Sequence, residues 1–366
     1  MKKLIRILSV MLSIALATTL VAGAYGGCVS PLRSTLPALL AMTFPFCAIA
    51  AIACAIVCFF FSRLSSAILA CALIASFPTL KSYFPLNFGS KYNNPDDAAT
   101  SFKLMTYNVC NLTDFTAPDN PSPINPTLSF ILSQEPDIAA LQECATFTTS
   151  TSAPVSTAQL DSLYARYPYR SNGAEGQAIL SKFPFREIRL HYRPAQGFQV
   201  RAYSVYAPTD TFTLFNMHLK SIGLNHEDKE LYRDITKGKT EGTPLRSELK
   251  EIRHSLIGKL SEAFRQRAVQ AEKVKELVDS IGGKVIVCGD FNDVPLCYAI
   301  RTIESAGLKD AYTQAALGYA VTFHADRFYF RIDHILYRGF TPSNVKRITT
   351  PHSNHYPLTA VFTPDR

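Results

Sequence analysis

Polar side chains that can do chemistry stand directly after apolar, strand-like segments at several places in the sequence. They are Asn108, Glu143, His218, Asp290 with Asn292, and Asp333, and His355 precedes one further apolar run. Carboxylates and histidines are the groups that most often move protons in enzymes. Strand ends hold side chains rigidly while the neighbouring loops admit a substrate, so the pattern predicts catalytic groups built on strand ends.

The elements that must position these residues are short strands with helices between them. The predicted strands cover residues 102–109, 138–142, 178–180, 202–206, 211–218, 285–288, 332–337 and 358–362. Apolar spacing predicts helices over 127–133 and 246–281, and the polar residues 222–245 are interpreted as a loop insertion. Because strands dominate and helices fall between them, we expect an α/β domain with two packed sheets and helices outside.

Six short segments in this part of the chain match a known series of motifs. In order they are MTYNV (105–109), LQE (141–143), NMHLKS (216–221), GDFNDVP (289–295), RIDHILY (331–337) and SNHYPL (353–358). Together they resemble the endonuclease/exonuclease/phosphatase superfamily, the DNase I-like metal-dependent phosphoesterases, over about residues 101–366. The resemblance implies a four-layer α/β/β/α sandwich.

The resemblance also implies a metal site and an activated water. Glu143, with Asn108 near it, would bind one divalent cation, and Mg²⁺ or Mn²⁺ is expected because carboxylate and amide oxygens are hard ligands. Asp290 would orient or deprotonate the attacking water. Such a cation neutralises charge on the ester oxygens and lowers the pKa of bound water.

The remaining motif residues are implied to contact the phosphate. Asn292 would donate hydrogen bonds to it, and His355 would stabilise developing negative charge on its oxygens. Asp333 would hold His355 through a ring N–H, which fixes the tautomer and favours the cation. His218 matches the position where the phosphatase and phosphodiesterase branches carry a histidine.

Several of these residues have structural alternatives when taken alone. Asn108 could cap or turn the chain after its strand, Glu143 could be a surface acid, and His218 could be a hydrogen-bonded core histidine. Arg331 precedes Asp333 by two residues, so it could face the same side and contact the phosphate.

One position departs from the family pattern. Relatives usually carry Asp before the last His, whereas this chain has Asn354, which keeps the shape of Asp but removes its charge. We therefore consider Asn354 a residue that could shape the site or alter metal binding. A catalytically weak, membrane-tethered binding protein remains the alternative that this departure supports.

The N-terminal part of the sequence is typical of a membrane protein. Residues 1–90 contain no Asp or Glu, and apolar stretches cover 4–24, 36–61 and 66–80. A helix needs about 20 apolar residues to span a bilayer, so the first two stretches suffice, and the third suffices if it extends through Leu86 with a kink near Pro78. The basic start leaves a cleaved signal peptide as the alternative for the first stretch.

These observations divide the chain into three predicted parts. They are a membrane region with about three transmembrane helices (1–86), a linker (87–100) and the catalytic domain (101–366). Lys2, Lys3 and Arg6 favour a cytoplasmic N-terminus. Three spans then place the domain outside the cytoplasm, whereas two would place it inside; we expect a multi-pass membrane protein with three.

Composition limits the function classes. With 47% hydrophobic and 18% charged residues, the chain is too apolar to be disordered. Residues 101–366 contain 30 basic and 27 acidic residues, a net charge of +3 that is weak evidence for nucleic-acid binding. The expected substrate is a phosphate ester, either a lipid head group or a nucleic acid, and no protein partner is inferred. No predicted span carries a paired acid or base, which disfavours a transporter or channel.

Overall fold

The structure is a computed structural model of the 366-residue chain. It describes residues 2–88, 100–115, 122–144, 147, 155–171, 176–191, 197–223, 246–325 and 329–365, and for Lys2 and residues 246–255 it describes the backbone alone. Most of the predicted linker 87–100 and of the loop insertion 222–245 lies outside the described residues.

Twelve strands form two six-stranded sheets. The strands are β1 Phe102–Asn108, β2 Ile138–Gln142, β3 Tyr169–Ser171, β4 Gln177–Ser181, β5 Phe185–Ile188, β6 Gln199–Ala207, β7 Asp210–His218, β8 Val285–Asp290, β9 Lys309–Asp310, β10 Asp333–Arg338, β11 Phe340–Arg347 and β12 Leu358–Pro364. Sheet I has the order β11-β12-β1-β2-β4-β3, and sheet II has the order β5-β6-β7-β8-β10-β9.

Helices lie on either side of these sheets and at the N-terminus. They are α1 Lys2–Tyr25, α2 Leu36–Phe59, α3 Arg63–Ala75, α4 Phe77–Tyr83, α5 Pro126–Gln134, α6 Thr157–Arg166, α7 Arg246–Ile281, α8 Tyr298–Glu304 and α9 Ala311–Ala315. Local sequence fixes their starts. Asn125 caps α5 by accepting the Leu128 N–H, and Ser156 with Gln159 forms a capping box at α6.

Alternating side chains explain the layers. On β1, Leu104 packs between the two sheets, whereas its neighbour Met105 packs against α5 and α6. On β8, Ile286 faces sheet I, whereas Val287 packs against α7 and α8. Since successive strand residues point to opposite faces, each sheet buries one face against the other sheet and one against helices. The predicted four-layer α/β/β/α sandwich is confirmed.

Two N-terminal helices, α1 and α2, are long and apolar enough to cross a membrane. A third crossing requires α3 and α4 to act as one span, and they are bent by 67° at Ser76, two residues before Pro78. The helices pack closely where they meet, because Gly23 lies against the Leu40 carbonyl and Gly26 against the Pro37 carbonyl.

The N-terminal helices contact the sandwich directly. A Cβ on Gly27 would lie 2.0 Å from the Leu296 carbonyl oxygen, so only glycine permits this approach. The Arg301 guanidinium on α8 donates to the Ala24 carbonyl over 3.2 Å. The helical region and the sandwich therefore form one packed unit.

Candidate active site

Three neighbouring strands of sheet II bring predicted residues side by side. In the register of β7, β8 and β10, Asp290 stands opposite both His218 and Asp333. Gly289 precedes Asp290 with φ +142°, and a Cβ there would lie 1.9 Å from the Met217 carbonyl oxygen. Glycine is thus required for β8 to approach β7 immediately before Asp290.

Sheet I supplies the opposite wall of the site. Asn108 ends β1, and Glu143 follows β2 in a left-handed conformation with φ +45°. The Asn108 amide donates to Glu143 Oε1 and to Asp290 Oδ2, each over 3.0 Å, so it joins the two sheets. Its Oδ1 accepts the Cys110 N–H over 3.1 Å. In this arrangement the Asn108 amide orients both carboxylates as a donor, and its role as a metal ligand stays a prediction.

Two histidines face Asp290 without bonding to it. Asp290 Oδ2 lies 3.6 Å from both His218 Nε2 and His355 Nε2, and His218 Nε2 lies 3.8 Å from Glu143 Oε1. These separations exceed hydrogen-bond length. His218 Nε2 is buried and has no hydrogen-bond partner among the described residues. Because such an orphaned buried atom is costly, the facing atoms fit a ligand held between them.

Asp333 controls the charge of His355. The two side chains are buried, and Asp333 Oδ2 lies 2.9 Å from His355 Nδ1. Burial lowers the His355 pKa, but the negative charges of Asp333 and Asp290 outweigh it and raise this pKa to about 9. Burial raises the pKa of Asp333 and Asp290 raises it further, against the opposing effect of His355. The imidazole is therefore a cation at neutral pH.

Backbone geometry around the two asparagines completes the site. Asn292 adopts φ +53°, its N–H donates to Asp290 Oδ1 over 2.8 Å, and its amide donates to the Leu219 carbonyl. Asn354 is half-buried, and its Oδ1 lies 3.3 Å from the hydroxyl of Ser353. Asn292 thus fixes the Asp290 carboxylate through its N–H, and its predicted hydrogen bond to a phosphate stays a prediction.

Arg331 lies elsewhere, which corrects the expectation that it contacts the phosphate. Its buried guanidinium donates to Asp310 Oδ2 over 2.8 Å and to the Ser82 carbonyl over 3.0 Å, and it lies 3.0 Å from His334 Nδ1. The two-residue spacing from Asp333 implies a shared face only within a regular strand. β10 begins at Asp333, so that rule does not apply.

Three side-chain amides near the site were not predicted from the sequence, two of them buried (Gln142 and Asn216) and one half-buried (Gln199). Gln142 donates to Asn216 Oδ1 over 2.7 Å, and Asn216 donates to the Leu141 and Ala178 carbonyls, which joins β7 to sheet I. Gln199 pairs with His218 in register, and its Oε1 is buried without a partner among the described residues. Each of these amides is a polar residue within an otherwise apolar strand, and this pattern could have identified them from the sequence.

The donors present fit a divalent cation. Ligand atoms of Glu143, His218 and Asp290 lie within 4.8 Å of one another, and so do those of Asp290, Asp333 and His355. Carboxylate oxygens suit Mg²⁺ or Mn²⁺, and the orphaned His218 nitrogen faces the first group. This geometry supports the expected divalent-metal site without selecting between the two ions.

Comparison with known proteins agrees with the motif series. The family model described as Endonuclease/Exonuclease/phosphatase family matches residues 105–355. No curated protein matches the chain.

Solved structures with a similar fold include three bacterial proteins. An endonuclease/exonuclease/phosphatase from Beutenbergia cavernae is 17% identical, with 73% of this chain and 72% of that chain covered and a TM-score of 0.48. Sphingomyelinase C from Streptomyces griseocarneus is 17% identical, with coverage of 71% and 99% and a TM-score of 0.43. A mannosyl-6-phosphatase from Bacteroides thetaiotaomicron is 16% identical, with coverage of 71% and 98% and a TM-score of 0.44.

Proposed function

We propose, from the premise that the chain belongs to the endonuclease/exonuclease/phosphatase family, that it is a membrane-anchored, metal-dependent phosphoesterase. Membership confirms the predicted class, a hydrolase of phosphate esters. The observation that carries the proposal is that two imidazole nitrogens, His218 Nε2 and His355 Nε2, face Asp290 Oδ2 at 3.6 Å without bonding to it. Carboxylate and imidazole groups that face one another in this way can hold a cation next to a phosphate.

Glu143 and Asp290, together with His218, are the residues that would hold the cation. When bound, Mg²⁺ or Mn²⁺ would neutralise charge on the phosphate oxygens and lower the pKa of water. Glu143 is the more exposed of the two acids, with 36% of its side chain accessible against 2% for Asp290. Access to the site is therefore from the Glu143 side.

Different side chains of this protein would carry out the separate steps of hydrolysis. The Asn292 N–H holds Asp290 Oδ1 and the Asn108 amide holds Oδ2, and the carboxylate oriented in this way accepts the proton of the attacking water. The His355 cation donates to a phosphate oxygen as negative charge develops there. Asp333 keeps His355 protonated and fixes its ring. Donors aimed at transition-state charge are each worth about 2.7–4 kcal/mol when removed.

We infer a membrane topology from the positions of the helix ends. The starts of α1 and α3 lie together, because the hydroxyls of Ser9 and Ser65 are 3.2 Å apart, while the Tyr25 hydroxyl donates to the Ala75 carbonyl at the sandwich side. Lys2, Lys3, Arg6 and Arg63 fall at the end far from the sandwich. By the positive-inside rule that end is cytoplasmic, so three crossings place the catalytic domain outside the cytoplasm.

An aromatic connection between the site and α2 favours a lipid phosphate ester over a nucleic acid. The Phe323 ring packs on His355 at 4.9 Å, and Phe323 pairs with Phe330. The Phe330 ring in turn meets Phe46 of α2 at 6.4 Å. Neighbouring strands lie about 5 Å apart. Only two side chains, Phe323 and Phe330, therefore separate His355 from α2, which is a candidate membrane span.

The test is hydrolysis of bis(p-nitrophenyl) phosphate by the full chain in detergent with Mg²⁺ or Mn²⁺. Asp290→Asn and His355→Gln should each lower kcat/KM by about 10²–10³. Matched controls are Asp161→Asn and His191→Gln, the same changes at exposed positions, and they should retain the parent rate. Equal rates in all five proteins would contradict the proposal and favour the binding-protein alternative.

A substrate panel then separates the proposed classes. It contains p-nitrophenyl phosphate as a monoester, phospholipids in nanodiscs and a single-stranded oligonucleotide. We expect turnover of a phospholipid, because of the short path from His355 to α2. Faster cleavage of the oligonucleotide would instead assign the chain to the nuclease alternative.

A further inference from the structure

A cavity of about 360 Å³ lies between β11, α9 and the segment that follows α4. None of its nine lining residues belongs to the active site. The polar ones include Asn87, Tyr319 and Asn344, and the charged ones are Lys346 and Arg347, with no acid among them. A cavity of this size holds a small ligand. The two positive charges in its lining favour binding of an anion.

The two cations differ in how they are held. Arg347 is fixed, because its Nη1 donates to Thr349 over 2.8 Å and its guanidinium lies 4.8 Å from the Tyr356 ring centroid. Lys346 is exposed, and its Nζ has no hydrogen bond or ion pair within the described ranges. The nearby acid Asp310 is already bonded to Arg331. The cavity therefore offers one positioned and one free cation.

The cavity lies where the chain leaves the N-terminal helices. Tyr319 stacks on Phe84, the residue after α4, with ring centroids 5.3 Å apart, and Leu86 pairs with Leu317. The Asn87 amide donates to two carbonyls near α9 over 2.9 and 3.1 Å, which fixes this wall. In the proposed three-span topology α4 ends the third span, so this position is the membrane-facing rim of the sandwich.

A second cavity adjoins the cationic one and has a mixed lining. It has a volume of about 270 Å³ and shares Asn87, Ala315 and Asn344 with its neighbour, and the apolar side chains of Leu86 and Phe88 form part of its wall. These two apolar side chains are 69% and 80% exposed. Exposed apolar groups next to cations match a ligand with an anionic head and an apolar body.

We propose that the paired cavities bind the head group of an anionic membrane phospholipid, with its phosphate between Lys346 and Arg347 and its glycerol and acyl part against Leu86 and Phe88. The site is separate from catalysis and holds the sandwich against the bilayer surface. A free phosphate ion would use only the cationic cavity, whereas a lipid uses both.

The test measures binding to the full chain in dodecyl maltoside with EDTA, which prevents turnover. The probes are dihexanoylphosphatidylglycerol, dihexanoylphosphatidylcholine and inorganic phosphate. Thermal unfolding against probe concentration gives Kd, and native mass spectrometry counts bound lipid. We expect one phosphatidylglycerol, bound at least about tenfold more tightly than phosphatidylcholine, and no displacement by equimolar phosphate.

Variants locate the binding site. Lys346→Gln should raise the Kd for phosphatidylglycerol several-fold and leave hydrolysis of the soluble diester unchanged, and Lys346→Gln with Arg347→Gln should raise the Kd at least about tenfold. The control Arg186→Gln with Arg189→Gln removes the same charge from exposed positions near β5, and Asp290→Asn alters only the active site. Both should bind as the parent does.

Three results would overturn the proposal. They are equal affinity for the two lipids, parental affinity in the double variant, and displacement by inorganic phosphate at equal concentration. None depends on hydrolysis, so this proposal can fail while the phosphoesterase proposal stands.

Discussion

Replacing Asp333 with Asn tests how the site controls the charge of His355. The variant keeps the shape of the side chain but removes the carboxylate that lies 2.9 Å from His355 Nδ1. An adjacent opposite charge shifts a pKa by about 1–3 units. The His355 pKa, about 9 in the parent, should therefore fall to roughly 6–8 in Asp333→Asn.

The expected loss of kcat/KM follows from the fraction of His355 that is protonated in the parent and in the variant. At pH 8.5 a group of pKa about 9 is roughly three-quarters protonated, whereas a group two units lower is about 3% protonated. Loss of the cation alone then costs about 25-fold in kcat/KM, and loss of ring orientation brings the total to about 10²–10³. At pH 6 the parent and a variant with a His355 pKa of about 7 are both mostly protonated at His355, so the orientation effect accounts for most of the remaining difference.

The assay is a pH series from 6 to 9 with bis(p-nitrophenyl) phosphate and saturating Mg²⁺. The ratio of parent to Asp333→Asn activity should rise with pH across this range. The matched control is Asp310→Asn, a buried acid that contacts Arg331 and not His355. A ratio independent of pH, or an equal pH dependence in the Asp310 variant, would refute the reasoning.

Three further predictions address metal binding, strand packing and stability. Glu143→Gln should raise the Mg²⁺ concentration for half-maximal activity at least about tenfold, measured by metal titration; an unchanged midpoint would remove Glu143 from the metal site. Gly289→Ala should abolish activity, because its Cβ meets the Met217 carbonyl at 1.9 Å; parental activity with parental circular dichroism would contradict this. Burial raises the Asp310 pKa, but Arg331 and His334 outweigh it and hold the pKa well below its usual value of 3.8. The stability that Asp310 contributes is therefore present above pH 4 and lost as pH falls below it. In urea unfolding, Asp310→Asn should cost about 3–5 kcal/mol at neutral pH and less in acid, and a pH-independent cost would refute the assignment.

Local patterns were sufficient for the strands that carry the site. Buried runs such as Ile138–Gln142 and Val285–Asp290 read as strands from their residues alone, and their final polar side chains then converge at one edge of the sandwich. Strands without a readable pattern were missed. Tyr169–Ser171 and Lys309–Asp310 are too short for periodicity, and a bulge between Ser343 and Lys346 interrupts the alternation of β11.

Side-chain roles required contacts that sequence order does not contain. The Asn108 amide donates to two carboxylates while its oxygen accepts the Cys110 N–H, in a turn where Cys110 has a positive φ. Arg331 pairs with Asp310 and with the distant Ser82 carbonyl. The amide link between Gln142 and Asn216 joins residues 74 positions apart. Each depends on how the two sheets and the helical region meet, which spacing along the chain does not specify.

The most direct measurement of the central claim is anomalous scattering at the manganese edge from crystals of the full chain grown with Mn²⁺ and inorganic phosphate. The account predicts one strong peak within ligand distance of Glu143 and Asp290, with a phosphate between that peak and His355. Manganese found only elsewhere on the protein, with water filling the space around Asp290 Oδ2, would contradict it.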